Sequence, residues 1–198
     1  MSTLEEFKMQ LKRGQVYRRD YLSQWTKSVD RHLATLVEEG VLQKLSQGLY
    51  YYPKISAFGI TPPDEEVLIR SFLKDDRFLL TSPSNYNSLG VGTTQLYNER
   101  VVYNHKRHGE FKFGNRKFCF RIKPHFPSKL SQEFLLVDLV NNLEFLAEDP
   151  YEVLKNVALK VRTMDIKKLK RYVSQYGNVR SKKTLIPMLN DLAEQYVS

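Results

Sequence analysis

The strongest constraint on the fold lies between residues 28 and 53, where a helical apolar pattern changes into a strand pattern. After Ser28, apolar residues recur every three or four positions and therefore share one helix face, until Gly40 ends the run. A strand-like segment, a turn containing Gly48 and a β-prone run that stops at Pro53 follow directly. These residues predict a helix joined at once to a β-hairpin.

Two shorter helices are predicted before this unit. Apolar residues at helical spacing begin at Leu4 and stop at Gly14, and a second short helix is predicted from Arg18 to Trp25. Three helices followed by a hairpin are the layout of a winged helix-turn-helix, which we predict for residues 1–55. A plain three-helix bundle with a solvated basic face is the alternative.

The winged-helix prediction selects a set of DNA-contacting residues. In a helix-turn-helix, the second helix of the motif inserts its N-terminal half into the major groove. The hairpin tip would lie beside the phosphates or the minor groove. The residues selected in this way are Arg18, Arg19, Lys27, Ser28, Arg31, Thr35, Lys44, Ser46 and Gln47. Their predicted partner is double-stranded DNA.

The overall charge is compatible with DNA as a partner but does not distinguish DNA from other polyanions. The formal net charge is +9 and the pI is about 9.5. Such a balance favours polyanions, of which nucleic acid and an anionic membrane are the usual two. A basic surface that is merely solvated is the other interpretation.

The remaining two-thirds of the chain mixes both kinds of pattern. Glycine and prolines in residues 56–63 predict a linker, and residues 64–198 are predicted to form a C-terminal domain. Gly114 and Asn115 predict the two-residue turn of a hairpin. Helical patterns follow, and the last helix is predicted to start close enough to Pro187 to hold it in its first turn. The predicted fold class is α+β, a winged helix followed by a mixed α/β domain that ends in a helical bundle.

No residue pattern in the chain predicts an enzyme or a cofactor site. Residues 90–92 resemble part of a phosphate loop but lack its third glycine and its Lys-Ser/Thr pair. The side chains that could ligate a metal fit no zinc-ligand spacing; they are His105, His108, Cys119 and His125. We therefore expect no catalytic residue, no cofactor and no metal.

The expected location is the cytoplasm. Cys119 is the only cysteine, which excludes an intramolecular disulfide. The first residues lack the basic and apolar regions of a secretory signal. No stretch approaches the roughly 18 consecutive apolar residues of a membrane span, so no membrane association is expected.

Several of these segments resemble a known family. Residues 19–22, 29–40 and 47–53 resemble the winged helix of AbiEi-type antitoxins, the regulatory halves of bacterial AbiE-like, type IV toxin–antitoxin pairs of phage defence. The similarity continues in residues 82–95, 165–177 and 185–192 and is patchy between residues 98 and 128. The run from Leu33 to Pro53 is its most specific part, although winged helices in general share much of that run.

The resemblance implies a DNA-binding antitoxin that is also a transcriptional autorepressor. Such a protein binds repeats in its own promoter through the winged helix and counteracts a nucleotidyltransferase-like toxin through the C-terminal domain, without needing a stable complex with it. The basic residues that we assign to the toxin-opposing surface are Lys112, Lys117, Lys167, Lys168, Lys170 and Arg171. A solvated helix face explains the last four equally well. The alternatives are a winged-helix regulator with a C-terminal ligand-sensing or dimerisation domain, and a nucleic-acid-processing enzyme that uses the winged helix for targeting.

Overall fold

The computed structural model describes residues 3–195, without the side chains of the last two of these. The chain divides into two compact units. The first contains the residues up to Asp76 together with Gly109–Phe118, and the second contains Arg77–His108 and the chain from Cys119 onward. Helices and antiparallel sheets occur together and the chain ends in helices, so the predicted α+β class is confirmed.

The first unit begins with six short elements. They are α1 (Leu4–Met9), β1 (Val16–Arg18), α2 (Arg19–Leu22), α3 (Val29–Glu38), β2 (Gln43–Ser46) and β3 (Leu49–Tyr51). The three strands form an antiparallel sheet in the order β1-β3-β2, in which Tyr51 lies opposite both Val16 and Gln43. The second predicted helix is therefore wrong in length, because its first residue, Arg18, pairs in the sheet and only one helical turn follows.

This part of the first unit has its own apolar core. Phe7, Leu22, Leu33, Leu36 and Leu42 are almost fully buried there. Residues of α1, α2 and α3 thus pack together as the sequence spacing predicts, since each helix contributes the apolar side of its pattern.

The first unit continues with a second hairpin and a helix. β4 (Lys54–Ser56) pairs with β5 (Gly59–Thr61), and α4 (Glu65–Leu73) follows, capped by the Asp64 side chain, which accepts a hydrogen bond from the Val67 amide at 3.0 Å. The segment predicted as a linker, residues 56–63, therefore contains β5 and the end of β4.

The remaining elements include four strands and four α-helices. They are β6 (Phe78–Thr81), β7 (Arg100–Asn104), β8 (Gly109–Phe113), β9 (Arg116–Ile122), α5 (Gln132–Asn142), α6 (Pro150–Val161), α7 (Ile166–Tyr176) and α8 (Val179–Gln195). The strand order is β6-β7-β9-β8. The predicted hairpin at Gly114 is present as β8 and β9, and Gly114 has a φ of +59°, which a side chain would strain.

The helices of the second unit surround a second core. Leu136, Leu139, Val157, Leu169 and Leu185 are fully buried within it. A side-chain cap marks the start of α8. The Ser181 amide donates to the Asn178 side chain at 2.9 Å, a capping pattern that starts the helix before the predicted point.

The predicted position of Pro187 is therefore wrong, since this residue lies inside α8 rather than in its first turn. Pro187 is exposed, so the carbonyl that loses its amide partner can bond to water. Among residues 3–195, no helix combines the length and the apolar composition that crossing a membrane requires.

Candidate nucleic-acid interface

The exposed face of α3 carries the residues that the helix spacing selects. Val29, Leu33 and Leu36 are at most 3% exposed, and their burial fixes which side of the helix faces solvent. Arg31 is exposed on the opposite side, and Lys27 is exposed in the turn just before the helix begins. The structure thus presents two cations together at the N-terminal end of α3.

Two hydroxyl side chains accompany these cations. Ser28 occupies the position before α3, but its side chain makes no capping hydrogen bond to the helix. Thr35 lies one turn after Arg31 and donates its hydroxyl to the Arg31 carbonyl at 3.1 Å. Both side chains are partly exposed, so both have an oxygen that can accept a hydrogen bond from outside.

Arg19 joins the three elements that surround this face. Its Nε donates to Asp30 Oδ1 at 2.7 Å, and Nη2 donates to the second oxygen, so the first turn of α2 holds the first turn of α3. The Arg19 amide donates to the Gly48 carbonyl at 2.9 Å, in the turn between β2 and β3. The hydrogen bond from Arg19 lowers the pKa of Asp30 and in turn raises the pKa of Arg19. Arg19 therefore fixes the hairpin and α3 relative to each other.

The hairpin of β2 and β3 exposes the residues predicted at its tip. Lys44 and Gln47 are exposed, and Ser46 is partly exposed. The strand register shifts between Lys44 and Ser46, which marks a local bulge in β2. Gly48 has a φ of +70°, a conformation that keeps the turn tight and that a side chain would strain.

The Arg18 side chain forms its hydrogen bonds within the first unit. Its Nη1 donates to the carbonyls of Ser71 and Phe72, each at 3.1 Å, and so caps the last turn of α4. Its Nε lies 3.7 Å from the Asp20 carboxylate. Arg18 is thus held to α4, whereas Lys27 and Arg31 are exposed. The structure therefore does not place the Arg18 charge beside the charges of Lys27 and Arg31.

In the second unit, α7 carries a separate group of cations. Lys167, Lys170 and Arg171 are exposed. Lys168 instead forms an ion pair with Glu133 of α5 at 2.8 Å. Burial alone would raise the pKa of Glu133, but the hydrogen bond from Lys168 and neighbouring donors outweigh it and the pKa is lowered. Lys168 therefore fastens α7 to α5, and the other three cations face solvent.

The excess positive charge of the chain lies in residues 153–183, which run from α6 into α8. Residues 153–183 contain only one acidic residue, Asp165. Their ten basic residues are Lys155, Lys160, Arg162, Lys167, Lys168, Lys170, Arg171, Arg180, Lys182 and Lys183. The rest of the chain has 21 basic and 21 acidic residues and is balanced. Residues 153–183 are therefore the most basic region of the chain.

Lys112 and Lys117 belong to the first unit, not to this group. Both are exposed, on β8 and β9 close to the turn at Gly114. The predicted toxin-opposing surface is thus divided between the two units.

Sequence reasoning missed a buried polar network in the second unit. Asp138 of α5 is fully buried and accepts hydrogen bonds from the Tyr86 hydroxyl at 2.8 Å, the Tyr103 hydroxyl at 2.9 Å and Lys123 Nζ at 3.1 Å. Asn142 donates to the Asp138 carbonyl at 2.8 Å. Burial, followed by the charge of Asp138, raises the pKa of both tyrosines. The one sequence signal of this network is a single aspartate within the otherwise apolar run of residues 134–140.

The residues weighed as metal ligands are not gathered into a site. Within residues 3–195, the structure contains no group of three or more His, Cys, Asp or Glu side chains placed to hold a metal ion. His105 instead stacks on Phe126, with ring centroids 4.7 Å apart.

Comparisons with known proteins were made for sequence and for fold. No curated protein sequence matches the chain. Among solved structures, the crystal structure of the RV2827C protein from Mycobacterium tuberculosis is similar, with a TM-score of 0.55 and 16% sequence identity over 96% of this chain and 75% of that chain. At this identity the likeness concerns the fold alone.

The family comparison covers the greater part of the chain. The model of a family of unknown function, DUF6088, matches residues 3–144. Because that match spans more than half of the chain, the protein belongs to the DUF6088 family, a family of unknown function.

Proposed function

We propose that this protein is a DNA-binding antitoxin and transcriptional autorepressor. Its first unit would act as a winged helix-turn-helix on repeats in its own promoter, and its C-terminal helices would oppose a nucleotidyltransferase-like toxin. The observation that carries the DNA-binding part is the exposed basic end of α3, held beside the β2–β3 hairpin through Arg19.

The order of the elements supports the winged-helix interpretation. The chain runs α1-β1-α2-α3-β2-β3, and β1 pairs with β3 rather than with β2. In a winged helix, the strand between the first two helices pairs in this way with the returning strand of the wing. This pairing is more specific than three helices and a hairpin, because a plain helical bundle has no need of β1.

The distribution of charge along α3 supports a direction of entry into the groove. Lys27 and Arg31 lie at its N-terminal end, whereas Glu38 and Glu39 lie at its C-terminal end. DNA phosphates repel the acidic end, so the N-terminal end enters the major groove, as in other helix-turn-helix proteins. Arg31 is then placed to contact a base edge, and Lys44 of the wing to contact phosphates.

The C-terminal helices support an anionic partner. Within residues 153–183, ten basic residues stand against one acidic residue, and Lys167, Lys170 and Arg171 are exposed, which favours an acidic protein face or an RNA. The identity of the partner as a nucleotidyltransferase-like toxin depends on the resemblance of residues 165–177 to AbiEi-type antitoxins.

The DNA-binding proposal is tested by titrating the protein against its own promoter fragment and following fluorescence anisotropy. Loss of Lys27 and Arg31 in K27A/R31A is expected to weaken binding by about tenfold or more, since a base contact alone contributes about 1–3 kcal/mol. The matched control is K8A/K54A, which removes the same charge from the same unit but not from α3. Equal weakening by both pairs would mean that charge alone drives binding and would contradict a reading role for α3.

A further inference from the structure

A groove of about 730 Å³ opens on the first unit. It lies between the residues that follow α1, strand β1, the segment from α2 to Trp25, and the C-terminal half of α4. Its volume is within the range of small-molecule sites. None of Lys27, Arg31 and Lys44 lines it, so it is separate from the proposed DNA-reading surface.

One wall of the groove is aromatic. The Trp25 ring lies edge-on to Tyr21, with centroids 5.2 Å apart, and edge-on to Tyr17, with centroids 6.1 Å apart. Tyr21 is 50% exposed although it is large and mostly apolar. Edge-to-face packing leaves ring faces uncovered, and an uncovered face is the surface on which a planar ligand stacks.

The other wall is basic, and no acidic side chain lines the groove. Two of its four cations are neutralised from outside, because Lys74 pairs with Asp20 and Arg70 with Asp76, each at 2.6 Å. The other two are Lys12, which is exposed, and Arg18.

Arg18 has an unused donor at this wall. Its Nε is buried and makes no hydrogen bond, since the Asp20 oxygen 3.7 Å away is beyond hydrogen-bond distance. The Arg18 side chain as a whole is 31% exposed and lines the groove, so its positive charge can attract an anion there even though Nε itself is covered.

We infer that this groove binds a small aromatic anion, and that a mononucleotide is the form that fits it. The base stacks on the wall of Tyr21 and Trp25, and the phosphate lies by Lys12 and Arg18. Four cations line the groove and only two carboxylates pair with them, Asp76 with Arg70, and Asp20 with both Lys74 and Arg18, so two positive charges remain in excess. A phosphate carries close to two negative charges, which match this excess. An aromatic monocarboxylate would neutralise only one of these two charges.

The chain provides its own reporter for this test, because Trp25 is its only tryptophan. The full-length protein is titrated with AMP and with GMP, binding is followed by Trp25 fluorescence, and calorimetry supplies a signal free of nucleotide absorbance. Saturable binding of AMP or GMP is expected, at least tenfold tighter than that of adenosine, inorganic phosphate or indole-3-acetate. K12A and Y21A are each expected to weaken binding at least fivefold, whereas K8A, in the same region but outside the groove, leaves it unchanged.

The opposite results would overturn the inference. The inference is wrong if neither nucleotide binds saturably up to about 5 mM. It is also wrong if adenosine or indole-3-acetate binds as tightly as the nucleotides or more tightly. Unchanged affinity in both K12A and Y21A, with thermal melts showing that these variants are folded, would place the ligand elsewhere. None of these readouts involves DNA, so the result is independent of the proposed DNA-binding function.

Discussion

Removal of the Asp138 carboxylate should destabilise the second unit strongly. Asp138 is fully buried in α5 and is the common acceptor for Tyr86, Tyr103 and Lys123. In D138A these donors lose their acceptor inside the protein. Asn142 cannot replace it at the hydroxyls, because its amide group donates to both of them.

The magnitude follows from the three partners. Each buried hydroxyl left without an acceptor costs about 1–3 kcal/mol. The side chain of Lys123 is 25% exposed and can regain water, so its contribution is the smallest of the three. The total, about 3–5 kcal/mol, agrees with the cost of breaking a buried ion pair by removing one partner. D138N keeps one acceptor oxygen and should lose less.

Urea unfolding followed by far-ultraviolet circular dichroism measures this loss. With a slope of roughly 2 kcal/mol/M, D138A should lower the midpoint by about 1.5–2.5 M. The matched control is E152A, which removes an exposed carboxylate that pairs with Lys155 at 3.7 Å and should cost less than about 0.5 kcal/mol. If D138A shifted the midpoint no more than E152A does, the assignment of the network as a structural anchor would be refuted.

Three further predictions concern the proposed interface. Replacement of Lys44 by Ala should lower the slope of log affinity against log salt by about one, because one phosphate contact is lost; an unchanged slope in anisotropy titrations would exclude that contact. The pKa of Asp30 is lowered by Arg19, so the stability from this pair is present above the ordinary Asp pKa of about 3.9 and is lost as the pH falls through the lowered value. Thermal melts of D30N should accordingly fall less than those of the wild type below about pH 4, and parallel curves would argue against the pair. The exposed cations of α7 to be replaced by Glu are Lys167, Lys170 and Arg171. This variant should no longer protect cells that co-express the toxin, but it should still repress a promoter reporter. Full protection by the variant would show that α7 is not part of the partner surface.

The sequence predicts best where a regular pattern is long. The apolar spacing after Ser28 gives α3 and its exposed face, and so identifies Lys27 and Arg31 without any tertiary information. The hairpin after it is equally clear, because Gly48 marks its turn and Pro53 ends its second strand.

Short elements, and elements that depend on distant parts of the chain, could not be predicted from local sequence patterns. β1 has only three residues and is a strand because it pairs with β3, more than thirty residues later. β5 lies in a segment whose Gly59, Pro62 and Pro63 are typical of a linker. The helix containing Pro187 begins earlier than its composition suggests, because the core and a cap at Asn178 outweigh the local cost of proline.

The partners of the charged residues were also beyond sequence reasoning. Arg18 and Arg19 are adjacent and chemically equal, yet one caps α4 and the other holds Asp30. Asp138 meets Tyr86 from a segment 52 residues away. Such contacts depend on the tertiary structure, and no spacing within one element encodes them.

Sequence-specific DNA binding by the first unit can be measured as a single ratio of two affinities. The affinity of the full-length protein for its own promoter fragment is measured at physiological salt beside that for a scrambled fragment of the same length and composition. We expect a preference of about 10³-fold or more for the promoter, which K27A/R31A should largely remove and K8A/K54A should leave in place. Equal affinity of the wild-type protein for the two fragments would contradict it.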